Sequence, residues 1–264
     1  MKYKLIALDV DGTLLTDDHE LTAPTIETIR QVNQAGAQIV LCTGRGPGNA
    51  IPVMEELGLQ GAVITHNGAA TIRTEDRSLV HQVPFEAAEL EAFIRYCREH
   101  RVHYDYSTAF HLHIDTDLSE HLEEMYRKFQ MTPFRVADVS RMEELAVKFT
   151  VYSPDKERVD QVEADWSQAG SRLRVLRSGD FFIDVMHAEA SKGHALRALC
   201  GSLGIPREQV LAMGNYYNDI EMLQFAGWGI AMDNSPEEVK QAADEVTVSN
   251  NEGGVYRSLR RLCL

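Results

Sequence analysis

Apolar runs that end abruptly in small or polar residues recur along the first part of the chain. Leu5-Ile6-Ala7-Leu8 runs straight into Asp9-Val10-Asp11-Gly12-Thr13. An unbroken apolar run of that length reads as a parallel strand buried on both faces. Residues 38–42 and 62–65 repeat the pattern and are followed at once by Thr43-Gly44-Arg45-Gly46 and His66-Asn67-Gly68. Between the first two runs, Thr22-Ala23-Pro24 opens a helix in which Ile26, Ile29 and Val32 keep a helical rhythm up to Gly36. A second helix is predicted to close near Leu57 and Gly58. Three strands alternating with two helices predict parallel βα units.

The rhythm then changes. Residues 70–72 and 79–82 predict a hairpin around Thr74-Glu75-Asp76. A helix is expected over 86–100, with Leu90, Phe93, Ile94 and Cys97 on one face. Residues 103–106 and 110–114 alternate at period two, as antiparallel strands do. Further on, the pattern predicts helices over 118–129, 140–145 and 155–168, and strands over 134–137 and 146–152. Residues 172–177 and 181–186 predict another hairpin around Ser178-Gly179-Asp180. A helix followed by a hairpin thus stands at both ends of the middle region, which suggests an internally symmetric α+β domain. After His187 the first rhythm returns. A helix opens at Ser191-Lys192 and closes near Gly204, and a strand over 209–213 runs into Gly214-Asn215-Tyr216-Tyr217-Asn218-Asp219. Strands over 228–232 and 245–248, a helix behind Pro236 and a closing helix over 253–263 complete the chain. The fold class expected is α/β: a parallel-sheet core built from 1–82 and 188–264, with an α+β domain over 83–187 inserted in it.

Four polar clusters follow a core strand or open a core helix: Asp9/Asp11, Thr43-Gly44, Lys192 and Asn215/Asn218/Asp219. In a parallel sheet the carboxyl ends of the strands point one way, so these clusters can converge. Carboxylates and a carboxamide are the hard oxygen ligands that Mg²⁺ prefers. Thr43, Lys192 and the backbone amides at Val10 and Gly44 are phosphate donors. Beside a cation, Asp9 can act as a nucleophile towards phosphorus. Asp11 is placed to protonate a leaving alcohol, which a neighbouring carboxylate and partial burial would favour.

A net charge of −14 over 264 residues argues against a nucleic-acid backbone as partner. It leaves room for a small phosphorylated metabolite held by local cations. No apolar stretch is long enough to cross a membrane, and Asp9 and Asp11 interrupt the run in which a signal peptide would lie. Cys42, Cys97, Cys200 and Cys263 are widely spaced, which suits free thiols in the cytoplasm, with Cys42 read as a small core residue rather than a reactive one. His111 and His113 share a strand face without a third ligand at zinc spacing, and they read as packing or surface residues. Tyr104, Tyr106, Phe110, Phe181 and Phe182 read as core, with the alternative that some of them line the inserted domain's side of the pocket. Arg45 either reaches the substrate side or pairs with an acid, and Asn67 either makes a turn or faces the substrate. Nothing in the sequence reads out an oligomeric state.

Asp9-Val10-Asp11-Gly12-Thr13, Thr43-Gly44-Arg45, Lys192 and Gly214-Asn215-x-x-Asn218-Asp219 resemble the four motifs of the haloacid dehalogenase-like hydrolases. The resemblance covers nearly the whole chain. The position of the insert and its αββ…αββ plan resemble the Cof-type phosphatases, which have a Rossmann-like core and a type IIB cap. The resemblance implies a Mg²⁺-dependent phosphatase of sugar phosphates or phosphorylated cofactors. On it, Asp9 is nucleophile and metal ligand, and Asp11 is acid/base and offers its carbonyl to the metal. Val10, Thr43, Gly44, Lys192 and Asn218 hold the phosphoryl group, and Asp219 supports the metal waters or Lys192. One position departs from the pattern: the family usually has Asp where this chain has Asn215, which implies weaker Mg²⁺ binding. Two other readings stay open: a phosphotransferase or mutase on the same scaffold, and a phospho-ligand sensor that binds without turnover.

Overall fold

A computed structural model of the chain describes residues 2–166 and 172–264. They form two compact units, Met1–His81 with Ser191–Leu264, and Gln82–Ala190. The first unit opens with β1 (Leu5–Asp9), α1 (Ala23–Gln34), β2 (Gln38–Cys42), α2 (Pro47–Glu56), β3 (Ala62–Thr65) and the hairpin β4 (Ala70–Arg73) and β5 (Leu79–Gln82). The second unit holds α3 (Glu91–His100), β6 (His103–Ser107), β7 (Leu112–Ile114), α4 (Glu120–Lys128), β8 (Phe134–Arg135), β9 (Lys148–Tyr152), α5 (Lys156–Trp166), β10 (Leu173–Gly179) and β11 (Phe182–His187). The chain returns to the first unit with α6 (Lys192–Leu203), β12 (Val210–Gly214), α7 (Ile220–Phe225), β13 (Trp228–Ala231), α8 (Glu237–Ala242), β14 (Glu245–Val246) and α9 (Gly254–Cys263).

Among the described residues the first sheet has the order β14-β13-β12-β1-β2-β3-β4-β5. Its strands run parallel from β14 to β3, and β4 turns antiparallel against β3. β1 lies at the centre and is buried along its whole length, which explains its unbroken apolar run. From β1 the chain steps to β2 and β3 on one side, and it comes back as β12 on the other. The order of connection therefore reverses at β1, where a doubly wound sheet opens a crevice beyond its strand ends. Helices pack both faces. Ile6, Leu8, Ile29, Leu41 and Leu259 belong to one apolar layer, and Ala7, Val40, Leu196, Ala212 and Leu223 to the other.

The second unit has its own sheet, in the order β10-β11-β9-β6-β7-β8 among the described residues. Phe93, Tyr104, Tyr106, Phe149, Val151, Trp166 and Ile183 fill its core, with Phe93 edge-on to Trp166 at 4.7 Å. The chain is thus α/β, with an α+β unit inserted in a parallel-sheet unit. Three expectations need correction here. Phe110 is exposed in the turn before β7, and Phe181 is exposed at the β10–β11 turn. The helix expected over 140–145 is only a single turn, Val139–Arg141. The reason is that Phe85 and Ala146 exchange backbone hydrogen bonds and the Tyr106 hydroxyl donates to Glu144 O, which keeps the following stretch extended. The expected helix end at 168 lies outside the described residues. His111 and His113 pack against Phe134 with ring centroids at 5.0 and 6.0 Å, so aromatic contact accounts for them. Among the described residues, no helix is long and apolar enough to cross a membrane.

Candidate active site

The carboxyl ends of β1, β2, β3 and β12 and the first residue of α6 carry the polar clusters. Asp9 is the last residue of β1 and pairs in register with Cys42 of β2. Beyond it the chain turns sharply, and Gly12 takes φ +76°. Lys192 is placed by the N-terminus of α6, which the Ser191 side chain caps on His194 N. Its Nζ donates to Asp9 Oδ1 and to Asp219 Oδ1, each at 2.6 Å. All three side chains are buried. Asp219 is locked from its other side, because its Oδ2 accepts from Asn215 N at 2.8 Å and Tyr216 N at 3.0 Å. The loop after β12 is therefore wound around the carboxylate that holds the lysine.

Burial sets the electrostatics of this triad. It pushes the Asp9 carboxyl up to about 7, and the Asp219 carboxylate pushes the same way, while Lys192 pulls it down. Burial also works against the Lys192 ammonium, but Asp219 and Asp9 outweigh it and hold the group above its ordinary value. Cys42, beside the triad, is fully buried and burial pushes its thiol up, so it is a core residue.

Asp9 Oδ2 faces the Asn215 carboxamide. The atoms around that carboxamide are Asp9 Oδ2, the Asp11 carbonyl and Thr13 Oγ1; two of these can only accept. With its nitrogen towards them, Asn215 donates to Asp9 Oδ2 at 2.9 Å and Asp11 O at 2.9 Å, and lies 3.1 Å from Thr13 Oγ1. Asp9 Oδ2, Asp11 O and the Asn215 carboxamide are hard donors converging on one place, a set that fits a divalent cation of the Mg²⁺ kind. Among the described residues, no three His, Cys, Asp or Glu side chains are grouped to hold a metal. A cation here would depend on backbone and carboxamide oxygen.

Asp11 stands differently from its expected place. Its side chain is 46% exposed, more than the partial burial expected, and is paired with Arg45: Nε donates to Oδ2 at 2.9 Å and Nη2 to Oδ1 at 2.6 Å. His19 Nδ1 lies 3.7 Å from the same carboxylate. Arg45 is itself anchored after β2, where its backbone N donates to Thr43 Oγ1 at 3.1 Å. Thr43 and Val10 are buried at their strand ends. Gly44 lies against the Asn67 carboxamide, whose Oδ1 accepts from Asn218 Nδ2 at 2.9 Å. Asn67 holds this position with φ +54°, a left-handed conformation that Asn tolerates better than most residues. The expected residues thus form two groups, Asp9–Lys192–Asp219–Asn215 and Gly44–Asn67–Asn218, with Asp11 paired to Arg45. The sequence shows Thr13 only as the last residue of the Asp9–Thr13 motif, and His19 carries no signal there.

The model of the haloacid dehalogenase-like hydrolases matches residues 6–259. The chain belongs to that family. It is of the Cof type, and it is a hydrolase acting on phosphate esters. Its sequence is 33% identical to YxeH of Bacillus subtilis, over 99% of each chain. It is 28% identical to the 5-amino-6-(5-phospho-D-ribitylamino)uracil phosphatase YitU of the same organism, covering 97% of this chain and 96% of the other. The crystal structure of a haloacid dehalogenase-like hydrolase from Bacteroides thetaiotaomicron superposes with a TM-score of 0.88 at 27% identity, covering 99% of this chain and 100% of that one.

Proposed function

We propose that this hydrolase is a Mg²⁺-dependent phosphomonoesterase of the cytoplasm that works through an aspartyl-phosphate on Asp9. One observation carries the reading: Asp9, at the end of the central strand, has Lys192 on one carboxylate oxygen and a cluster of oxygen donors at the other. Members of the family generally use a divalent metal. Asp9 Oδ2, the Asp11 carbonyl and the Asn215 carboxamide oxygen would hold it, with Asp219 acting only through Lys192 and the loop amides. When bound it lessens the repulsion between an attacking carboxylate and the phosphoryl oxygens.

The residues of the chain supply the rest. Thr43, Lys192, Asn218 and the amides of Val10 and Gly44 orient the phosphoryl group. Such positioning is worth up to ~7–11 kcal/mol of the barrier. Asp9 attacks phosphorus and the bond to the ester oxygen breaks, while Asp11 gives that oxygen its proton. A water then attacks the phosphorus of the aspartyl-phosphate, Asp11 takes its proton, and inorganic phosphate leaves with Asp9 restored. Asp11 has to leave its pair with Arg45 before it can reach the ester oxygen. The substrate is a small phosphorylated metabolite, a sugar phosphate or a phosphorylated cofactor. The relative named for a ribitylaminouracil phosphate fits that class.

Phosphate release from p-nitrophenyl phosphate, with and without Mg²⁺, tests the reading on the wild type and Asp9→Asn. Release should depend on Mg²⁺ and fall by about three orders of magnitude or more in the variant. Release that persists in Asp9→Asn would overturn the assignment.

A further inference from the structure

Asn215 does more than substitute a weaker ligand. A carboxamide has two faces, a carbonyl oxygen that can meet a cation and an amino group that can meet an anion; a carboxylate has only the first. Turned with its amino group inward, the orientation its acceptor neighbours favour, the Asn215 carboxamide meets Asp9 Oδ2 and Asp11 O, the same two oxygens that would hold the metal. The approach is close: a Cβ on Gly12 would fall 2.4 Å from this carboxamide, so the motif glycine makes room for it. Lys192 already faces two carboxylates, Asp9 and Asp219, and a third at position 215 would find no further cation among them.

We propose that Asn215 is a built-in stand-in for the cation: its amino group bridges Asp9 and the Asp11 carbonyl when no metal is bound, and the carboxamide turns over to present its oxygen when a metal enters. The inference rests on reading this site as the metal centre of the phosphatase. Two consequences follow. The metal-free site is satisfied by hydrogen bonds and stays folded without a cation. Metal binding must displace those hydrogen bonds, which weakens affinity beyond the loss of one ligand charge.

Thermal unfolding in EDTA and in saturating Mg²⁺, together with Mn²⁺ titration followed by electron paramagnetic resonance, tests this on the wild type, Asn215→Asp and Asn215→Ala. In EDTA, Asn215→Asp should unfold about 3–6 °C below the wild type, and Asn215→Ala about 2–4 °C below. Saturating Mg²⁺ should raise the unfolding temperature of Asn215→Asp more than that of the wild type. Mn²⁺ should bind Asn215→Asp about tenfold or more tightly than wild type, and Asn215→Ala no more tightly than wild type. If Asn215→Asp folds only with metal present, that supports the stand-in role, and Asn215→Ala still supplies the metal-free comparison. The proposal is overturned if both variants unfold in EDTA at or above the wild-type temperature, or if Asn215→Asp binds Mn²⁺ no better than wild type. None of these readouts uses turnover. A protein that shows the stability pattern yet releases no phosphate would keep the stand-in and refute the phosphatase reading; the reverse result would refute the stand-in alone.

Discussion

Lys192 is the most constrained side chain of the site. A lysine buried to this degree is costly unless paired, and here each carboxylate partner is equally buried. Removing it leaves two desolvated acids facing each other. Lys192→Met is therefore expected to lose roughly 3–5 kcal/mol of stability at neutral pH. The sign of the pH dependence follows from Asp9. In the wild type its folded-state proton affinity is already raised, to about 7, and without the ammonium it rises further. An unfolded Asp titrates near about 4, so the folded variant binds more protons and its stability falls as pH rises. Urea denaturation should thus show a deficit relative to the wild type that is smallest below about pH 7 and widens as pH rises above it; a deficit independent of pH would contradict the burial argument. Most of these residues could be read in advance. Asp9, Thr43, Lys192 and Asp219 stand at element ends, where a short sequence window shows both the apolar run and its polar stop. The Arg45–Asp11 pair and the turn of the Asn215 carboxamide could not be read. They depend on side-chain torsions and on neighbours 34 and 202 residues away.

At the scale of elements, the site exists because β1, β2, β3 and β12 end together and α6 points its first turn at them. That turn is set by contact with α7: a Cβ on Gly193 would lie 2.6 Å from the backbone carbon of Glu221. The Ser191 hydroxyl also donates to the Glu221 carboxylate, tying the same two segments. Gly193→Ala should push α6 off α7, cost about 1–3 kcal/mol, and lower kcat by displacing Lys192. Calorimetry and phosphate-release kinetics would check both effects; an alanine variant with wild-type stability would show that the contact is not limiting. The parallel strands were legible because a strand buried on both faces carries its own signature. The single turn at Val139–Arg141 and the exposed Phe110 were not, because the backbone bonds of Phe85 with Ala146 and the tight turn into β7 decide them. Local periodicity does not carry that information.

For the molecule as a whole, one unit interrupts the other in sequence while each keeps its own sheet and core. The change of rhythm after the third parallel strand, and its return after His187, made this arrangement readable. Because Phe93, Tyr104, Phe149, Trp166 and Ile183 form a core without help from the first unit, a fragment spanning 82–190 should fold alone and unfold cooperatively in urea. A fragment with no transition would show that its core is incomplete. On the proposed mechanism the reacting groups belong to the first unit, and the central step puts a covalent phosphate on Asp9. Asp11→Asn isolates that step, since p-nitrophenol leaves without an acid while the water that clears the aspartyl-phosphate loses its base. Acid-quenched Asp11→Asn, mixed with p-nitrophenyl phosphate and Mg²⁺ and digested, should yield the peptide containing Asp9 with one phosphate attached. A wild-type enzyme that releases phosphate while the variant carries none on that peptide, or carries it on another residue, would contradict the account.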